Sequence, residues 1–437
     1  MTSRMCTVVA VLALLVGVLA GCGPSDSGIV RLTAPPMGWN SWNAFGCGVT
    51  QDEVHAAADA LVSSGMRDAG YRYVVVDDCW FDSSRAADGG LRANPTTFPD
   101  GMAALGTYLH DRGLKFGIYE SPSGRTCAQV NGAYPGSTGS ADHVAQDART
   151  FASWGVDYLK YDWCAAPTSA DRMKRAFTTM RTALRDTGRP IVLSINPNSL
   201  EADPAVPETV GAANDWSGAA DLVRTGADVY PLWDNAIADQ VYVHGSYTIA
   251  GIRDTVERSA SVPAHTDYYN DPDMLVIDTS LSTLGFPATV PVPAELPDTQ
   301  GRVQLVMWAM LGAPLMAGND LGRMSDQTRT LLTDPGVIAI DQDRSAPGGR
   351  TGRVGDLEVW QRHLADGDRA IALYNPESVS ATTRLDAPAT QVRPGCRATD
   401  LLAGRPQPLD TPVTVAPTSV GLYRVSCGEK NSAAAGS

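Results

Sequence analysis

The sequence predicts an α/β fold, a (β/α)8 TIM barrel followed by a C-terminal antiparallel β-sandwich domain. Apolar runs alternate with amphipathic stretches, glycines follow the amphipathic stretches, and charged residues collect where the apolar runs end. Tyr73 to Val76, Leu114 to Tyr119, Val156 to Tyr161 and Ile191 to Ile195 read as parallel strands, because strands covered on both faces are near-continuously apolar. Asp52 to Asp68, Met102 to Arg112, Asp142 to Trp154 and Ala170 to Thr187 carry apolar residues at helical spacing. Gly70, Gly113, Gly155 and Gly188 follow them, as the residue that ends a helix in a left-handed conformation should. Repeated helix, glycine and strand units build a parallel sheet with crossover helices.

A closed barrel is favoured over an open sheet by the polar residues. Asp77, Asp78, Tyr119, Lys160 and Asp162 stand at the C-terminal ends of successive strands. Closing the sheet puts those ends on one face, the face where barrel active sites form. Near Ala346 the pattern changes to short alternating strands, such as Leu357 to Arg362, Ala370 to Tyr374 and Val420 to Val425. The expected division is a leader at 1–21, a tether at 22–33, the barrel at 34–345, the β domain at 346–428 and a disordered tail at 429–437.

Export is written into the leader. Arg4 gives a positive start, and the apolar run Val8 to Ala20 is shorter than a membrane span, as in a signal peptide. Leu19-Ala20-Gly21-Cys22 resembles the lipobox of bacterial lipoproteins, which implies cleavage before Cys22 and a lipid on that residue. The expected location is the extracellular face of the cell membrane, or the medium, with membrane contact only through that lipid. Six further cysteines, Cys47, Cys79, Cys127, Cys164, Cys396 and Cys427, make an even set in an exported chain and predict three disulfides.

A net charge of −14 and the scarcity of lysine leave no basic face for a phosphate backbone, which argues against a nucleic-acid partner. There is no Cys-x-x-Cys or His-Glu-x-x-His spacing, so no metal site is expected. The Gly-x-Ser-x-Gly elbow, the phosphate loop and the dinucleotide fingerprint are missing too, and no cofactor is expected. What remains is a set of strand-end carboxylates among Trp42, Trp80, Tyr119 and Trp163. That combination suits a sugar, whose hydroxyls need charged acceptors and whose apolar ring face stacks on aromatic rings. Glycoside hydrolysis needs two carboxyl groups. Lys160 and Asp162, two apart, share one side of a strand, and the ammonium is expected to keep the aspartate ionised. The same two residues also fit an inert ion pair at a strand end.

Six ordered motifs carry a resemblance. They are Met37-Gly38-Trp39-Asn40-Ser41-Trp42, Val76-Asp77-Asp78-Cys79-Trp80, Gly113-Leu114-Lys115-Phe116-Gly117-Ile118-Tyr119, Tyr158-Leu159-Lys160-Tyr161-Asp162-Trp163-Cys164, Asn270-Asp271-Pro272-Asp273-Met274-Leu275, and Ala313-Pro314-Leu315 with Asn319-Asp320-Leu321. From Ala34 to about Gln342 the chain resembles glycoside hydrolase family 27, the clan D barrels of lysosomal and microbial α-galactosidases. The resemblance implies that Asp162 is the nucleophile and Lys160 the substrate-binding lysine beside it. An arginine four residues before the acid/base is matched by Arg224-Thr225-Gly226-Ala227-Asp228, which implies Asp228 as acid/base and Arg224 near the 2-hydroxyl. Asp221 and Asp234 compete for the acid/base position and are expected to be helix-capping or surface residues.

The resemblance further implies Asp77 and Asp78 on the 4- and 6-hydroxyls, Trp42 and Tyr119 lining the pocket, and Asp273 and Met274 closing another side. It pairs Cys47 with Cys79 and Cys127 with Cys164, which leaves Cys396 for Cys427. One departure follows the fifth strand, where family members commonly carry Cys-Glu-Trp and this chain has Ser194-Ile195-Asn196-Pro197-Asn198. Asn196 is then the residue placed to bind a hydroxyl there. The implied activity is exo-acting, retaining release of terminal α-galactose from an oligosaccharide or polysaccharide. The alternatives are another family glycone (α-N-acetylgalactosaminide, β-L-arabinopyranoside or isomaltose from dextran) and a noncatalytic sugar-binding lipoprotein.

Overall fold

The computed structural model describes residues 28–165, 168–198, 210–234, 249–280 and 296–428. The leader with Cys22, the tether up to residue 27 and the tail from 429 lie outside the described residues. Among the described residues no helix is long and apolar enough to cross a membrane.

Eight parallel strands form the first unit: β1 (Met37–Asn40), β2 (Tyr73–Val76), β3 (Lys115–Glu120), β4 (Tyr158–Asp162), β5 (Val192–Asn196), β6 (Leu222–Arg224), β7 (Tyr269–Asp271) and β8 (Leu315–Ala317). Their order in the sheet is β8-β1-β2-β3-β4-β5-β6-β7, so each strand neighbours the next in sequence and β8 returns to β1. The ring closes just past β7, where Leu275 bridges Ala317 in parallel. Leu275 N donates to Met316 O at 2.8 Å and Gly318 N to Leu275 O at 3.1 Å. Inside the ring, Tyr73, Val75, Tyr158, Val192, Leu222 and Met316 form an apolar plug. Outside it, residues of the opposite strand face, such as Val74, Val76, Leu159, Tyr161, Leu193 and Ile195, pack against the helices as the main core. That split follows from the two-residue period of strand side chains.

The helices and strands meet expectation with two corrections. The first predicted helix is two, α1 (Gln51–Ser63) and α2 (Met66–Ala69), because Gly65 takes φ +84° between them. Three more are α3 (Gly101–His110), α4 (Val144–Ser153) and α5 (Ala170–Asp186). Gly70, Gly113, Gly155 and Gly188 all adopt positive φ, between 70° and 121°. The second correction concerns strand starts. Leu114 N donates to Leu109 O and Val156 N to Phe151 O, each at 3.0 Å. These are the six-to-one bonds of a glycine-terminated helix, so both residues still belong to the caps. β3 and β4 therefore begin later than their apolar runs, and β4 continues through Asp162, which pairs in register with Asn196.

The C-terminal unit is an antiparallel sandwich. One sheet has the order β9-β10-β11-β16-β13-β14, from β9 (Gly349–Val354), β10 (Leu357–His363), β11 (Arg369–Asn375), β13 (Arg397–Asp400), β14 (Arg405–Gln407) and β16 (Ser419–Ser426). The other pairs β12 (Ala381–Thr383) with β15 (Val413–Val415). Alternation assigns the faces. Leu357, Val359, Ile371, Leu373, Tyr423 and Val425 fill the sandwich, whereas Trp360, Ala370, Ala372, Tyr374 and Leu422 join the barrel's core. Arg362 crosses the junction, donating to Ala309 O at 2.7 Å and Asp343 O at 2.9 Å. Disulfides join Cys47 to Cys79, Cys127 to Cys164 and Cys396 to Cys427, as the resemblance implies. The first two fasten loops at the C-terminal ends of the barrel strands.

Candidate active site

The C-terminal ends of β2 and β4 bring together four charged groups, Asp77, Asp78, Lys160 and Asp162, flanked by Asn40 of β1 and Tyr119 of β3. Lys160 Nζ lies 2.7 Å from Asp77 Oδ2 and 3.4 Å from Asp162 Oδ2. The sequence pairs Lys160 with Asp162 alone. The shorter bond, to a residue 83 positions away, is a finding of the fold. Asp77 Oδ2 also accepts from Asn40 Nδ2 at 2.6 Å, and Asp77 Oδ1 accepts from Asp78 N at 2.9 Å. Asn40 Oδ1 accepts from Trp42 N at 2.8 Å, which fixes the start of the Trp42 turn. Asp78 spans two loops, accepting from Cys79 N at 2.8 Å and Ala128 N at 2.9 Å. Tyr119 lies beside them, with Lys160 Nζ 5.1 Å from its ring centre and its hydroxyl 3.4 Å from Cys164 Sγ.

Asp162 differs from its neighbours. Its side chain is 7% exposed, and Oδ1 is buried without a hydrogen-bond partner in the protein. A buried carboxylate oxygen without a donor is costly. This oxygen is available to a ligand atom.

A second cluster sits beyond β6. Arg224 is buried, and its guanidinium bridges Asp228 Oδ1 and Asp273 Oδ1, each at 2.9 Å. Asp273 has φ +100°, a strained conformation for a residue with a Cβ, and Asp273 Oδ2 accepts from Val229 N at 2.8 Å. Asp228 is the open member of the set, its side chain 40% exposed. Asn196 lies buried at the end of β5, its Oδ1 accepting from Asn198 N at 3.0 Å. Met274 packs against the apolar plug inside the barrel, and its carbonyl accepts from Gln304. Asp221 is neither a cap nor a surface residue. It is buried at the opposite end of β6, paired with Arg181 at 2.9 Å and accepting from Leu193 N.

Burial dominates the electrostatics. It pushes the Asp162 carboxyl up to about 7, against the pull of Lys160 and with a further push from Asp77. The expectation that the ammonium alone keeps Asp162 ionised is corrected here, because desolvation outweighs one cation. Burial also lifts Asp273 to about 7 against Arg224, and Asp78 to about 6 against its backbone donors. For Lys160, burial opposes the ammonium, but Asp162 and Asp77 outweigh it and raise its pKa, so it stays charged.

The barrel, 34–343, matches the family model for α-galactosidase A, and 354–425 match the model for the α-galactosidase C-terminal β-sandwich domain. The chain is 36% identical over 358 residues to "Alpha-galactosidase A" of Cellvibrio japonicus, covering 80% of this chain and 78% of the relative. It is 36% identical over 351 residues to "Alpha-galactosidase" of Cyamopsis tetragonoloba, covering 80% and 74%. The chain belongs to the α-galactosidase A family. It is a glycoside hydrolase, and its fold is that of solved family members. The structure of α-galactosidase I from Mortierella vinacea superposes with a TM-score of 0.75 at 29% identity, covering 90% of this chain and 97% of that one.

A nucleophilic Asp162 acts ionised, so kcat/KM should rise with pH through a midpoint near 7. The Lys160 ammonium lowers that midpoint, so Lys160→Ala should move it upward as well as slowing the reaction. A pH profile of kcat/KM in both proteins checks this, and an unmoved midpoint would refute it.

Asn40, Ser41 and Asp271 join the site beside the residues that the sequence nominates. Asn40 and Ser41 hold Asp77 through its carboxylate and its backbone N–H, and Asp271 Oδ1 accepts from Asp273 N at 2.9 Å. Their signal was present: each is a polar residue at, or one past, the C-terminal end of a barrel strand.

Proposed function

We propose that the protein releases terminal α-linked galactose by double displacement, with Asp162 as nucleophile and Asp228 as general acid/base. The observation that carries this reading is the contrast between the two carboxylates. Asp162 is buried beside a cation with one oxygen unpartnered, and Asp228 is half-open and steered by Arg224. Asp162 attacks the anomeric carbon as a protonated Asp228 gives its proton to the departing oxygen. The ester formed has the inverted anomeric configuration. Asp228, now a carboxylate, takes a proton from water as that water displaces Asp162, and the original configuration returns. Lys160 stays charged throughout and offsets the negative charge of Asp77 and Asp162.

Asp77 and Asp78 are proposed to accept from the 4- and 6-hydroxyls, with Trp42 and Tyr119 lining the pocket, Asp273 and Met274 on another side, and Asn196 at the 2-position. The names of the relatives at 36% identity support an α-galactoside as substrate. NMR of the first product formed from an aryl α-galactoside tests the mechanism. The α-anomer should appear before mutarotation, and the β-anomer appearing first would refute retention.

The division into a tethered barrel at 34–345 and a β domain at 346–428 is part of the same proposal, as is lipidation of Cys22. Fatty-acid labelling should mark the wild type and not Cys22→Ser, and equal labelling of both would end the claim.

A further inference from the structure

The frame that holds Asp228 includes a side chain from the loop after β5. β5 and β6 pair only through Ser194 with Leu222 and Ile195 with Val223. The chain then reaches Pro197, which has no N–H to give to a ladder, and Arg224 is left without a β5 partner. The Asn198 side chain takes that place. Its Nδ2 donates to Arg224 O at 2.7 Å, across 26 positions of sequence, and its Oδ1 accepts from Gly211 N at 2.8 Å.

A second observation concerns the short helix at Val210–Ala213. A Cβ on Gly211 would stand 1.8 Å from Arg224 O and 2.7 Å from Asn198 Nδ2, so the backbone is pressed onto this bond and only glycine fits. The same turn reaches the other carboxylate. Asn198 N donates to Asn196 Oδ1 at 3.0 Å, and Asn196 O accepts from Trp163 N at 2.9 Å, one residue after Asp162. The turn from Asn196 to Asn198 therefore bonds just past the strand that carries Asp162 and to the last residue of β6, the arginine that pairs with Asp228.

We propose that Asn198 is a positioning residue for proton transfer at Asp228, acting through Arg224. This rests on the reading of Asp228 as the acid/base. Arg224 is held at its guanidinium by Asp273 and Ala227 O and in register with Asp271 of β7, and Asn198 anchors its carbonyl on the β5 side, so Asn198 is one of the contacts that set the group holding Asp228 Oδ1. Losing the Asn198 anchor lets the Arg224 backbone shift and moves the carboxyl off the line to the leaving-group oxygen. General-acid help depends on that line. A leaving group that departs without a proton does not.

The test compares kcat/KM for methyl α-galactoside, whose leaving group needs a proton, with 2,4-dinitrophenyl α-galactoside, whose leaving group does not. Asn198→Ala should lose on the order of tenfold on the first and stay within about twofold on the second. Asn198→Asp keeps the size and the acceptor for Gly211 N but loses the donor to Arg224 O. It should show the same split, and it serves if the alanine variant folds poorly. A purely structural role would lower both substrates alike, and that result, or no loss on either, overturns the proposal. Asp228→Asn is measured alongside. If it separates the two substrates and the Asn198 variants do not, the positioning role alone falls. If Asp228→Asn itself lowers both equally, the acid/base assignment falls and takes this proposal with it.

Discussion

Replacing Asp162 by glycine is expected to lower kcat by on the order of ten-thousandfold or more, with added azide restoring part of the turnover. No neighbour is free to substitute for it. Asp77 has Oδ2 committed to Asn40 and Lys160 and Oδ1 to Asp78 N, and Asp78 has both oxygens on backbone N–H groups. Glycine leaves a space where a buried oxygen without a donor had stood, next to a charged Lys160, and a small anion fits both the space and the charge. The rescued product should be β-galactosyl azide, because azide attacks from the side Asp162 occupied. A folded variant that keeps near wild-type turnover would refute the nucleophile.

The second large effect concerns the sugar. Wild type should prefer an α-galactoside to an α-glucoside, since an equatorial 4-hydroxyl leaves a buried carboxylate underpaired. Hydrogen bonds to charged groups contribute about 1.5–3 kcal/mol each, so one lost bond predicts roughly a tenfold to hundredfold drop in kcat/KM. Asp78→Asn should narrow the preference by a similar factor. With Cys79 N and Ala128 N each already on one oxygen, the new amide group must turn its N–H pair toward one of those donors and repel it. Kinetics with the two p-nitrophenyl glycosides, run beside thermal melts, separate lost recognition from lost folding. Equal rates on both sugars in wild type would refute the substrate.

What the sequence revealed was local. The glycines that end helices were readable because a helix C-terminus needs positive φ, and all four adopt it. Lys160 and Asp162 were readable as same-side neighbours because strand side chains alternate. Strand limits were not, since a strand buried on both faces gives no alternation to mark its ends. β6, β7 and β8, three residues each, are too short to form any pattern. The bonds that organise the site were equally invisible. Lys160 reaching Asp77, Arg224 reaching Asp273 and Asn198 reaching Arg224 all join separate strands or loops, and no spacing along the chain encodes them.

The barrel wall is unevenly sewn. β3 to β5 are held by long ladders, whereas the closure between β7 and β8 rests on one bridge at Leu275. Side chains of the helix Asp298–Leu311 reinforce it: Gln304 grips Met274 O and Val276 N, and Trp308 Nε1 donates to Asp273 O at 2.7 Å. A wall held this way opens at its seam before it unfolds as a whole, so amide exchange at Leu275 and Val276 should run ahead of that in β3 and β4. The seam begins two residues after Asp273, and Asp273 holds Arg224. With Arg224 and Asp228 in the proposed roles, local opening there disarms catalysis while most of the protein is still folded, so heat should extinguish activity before it melts the core.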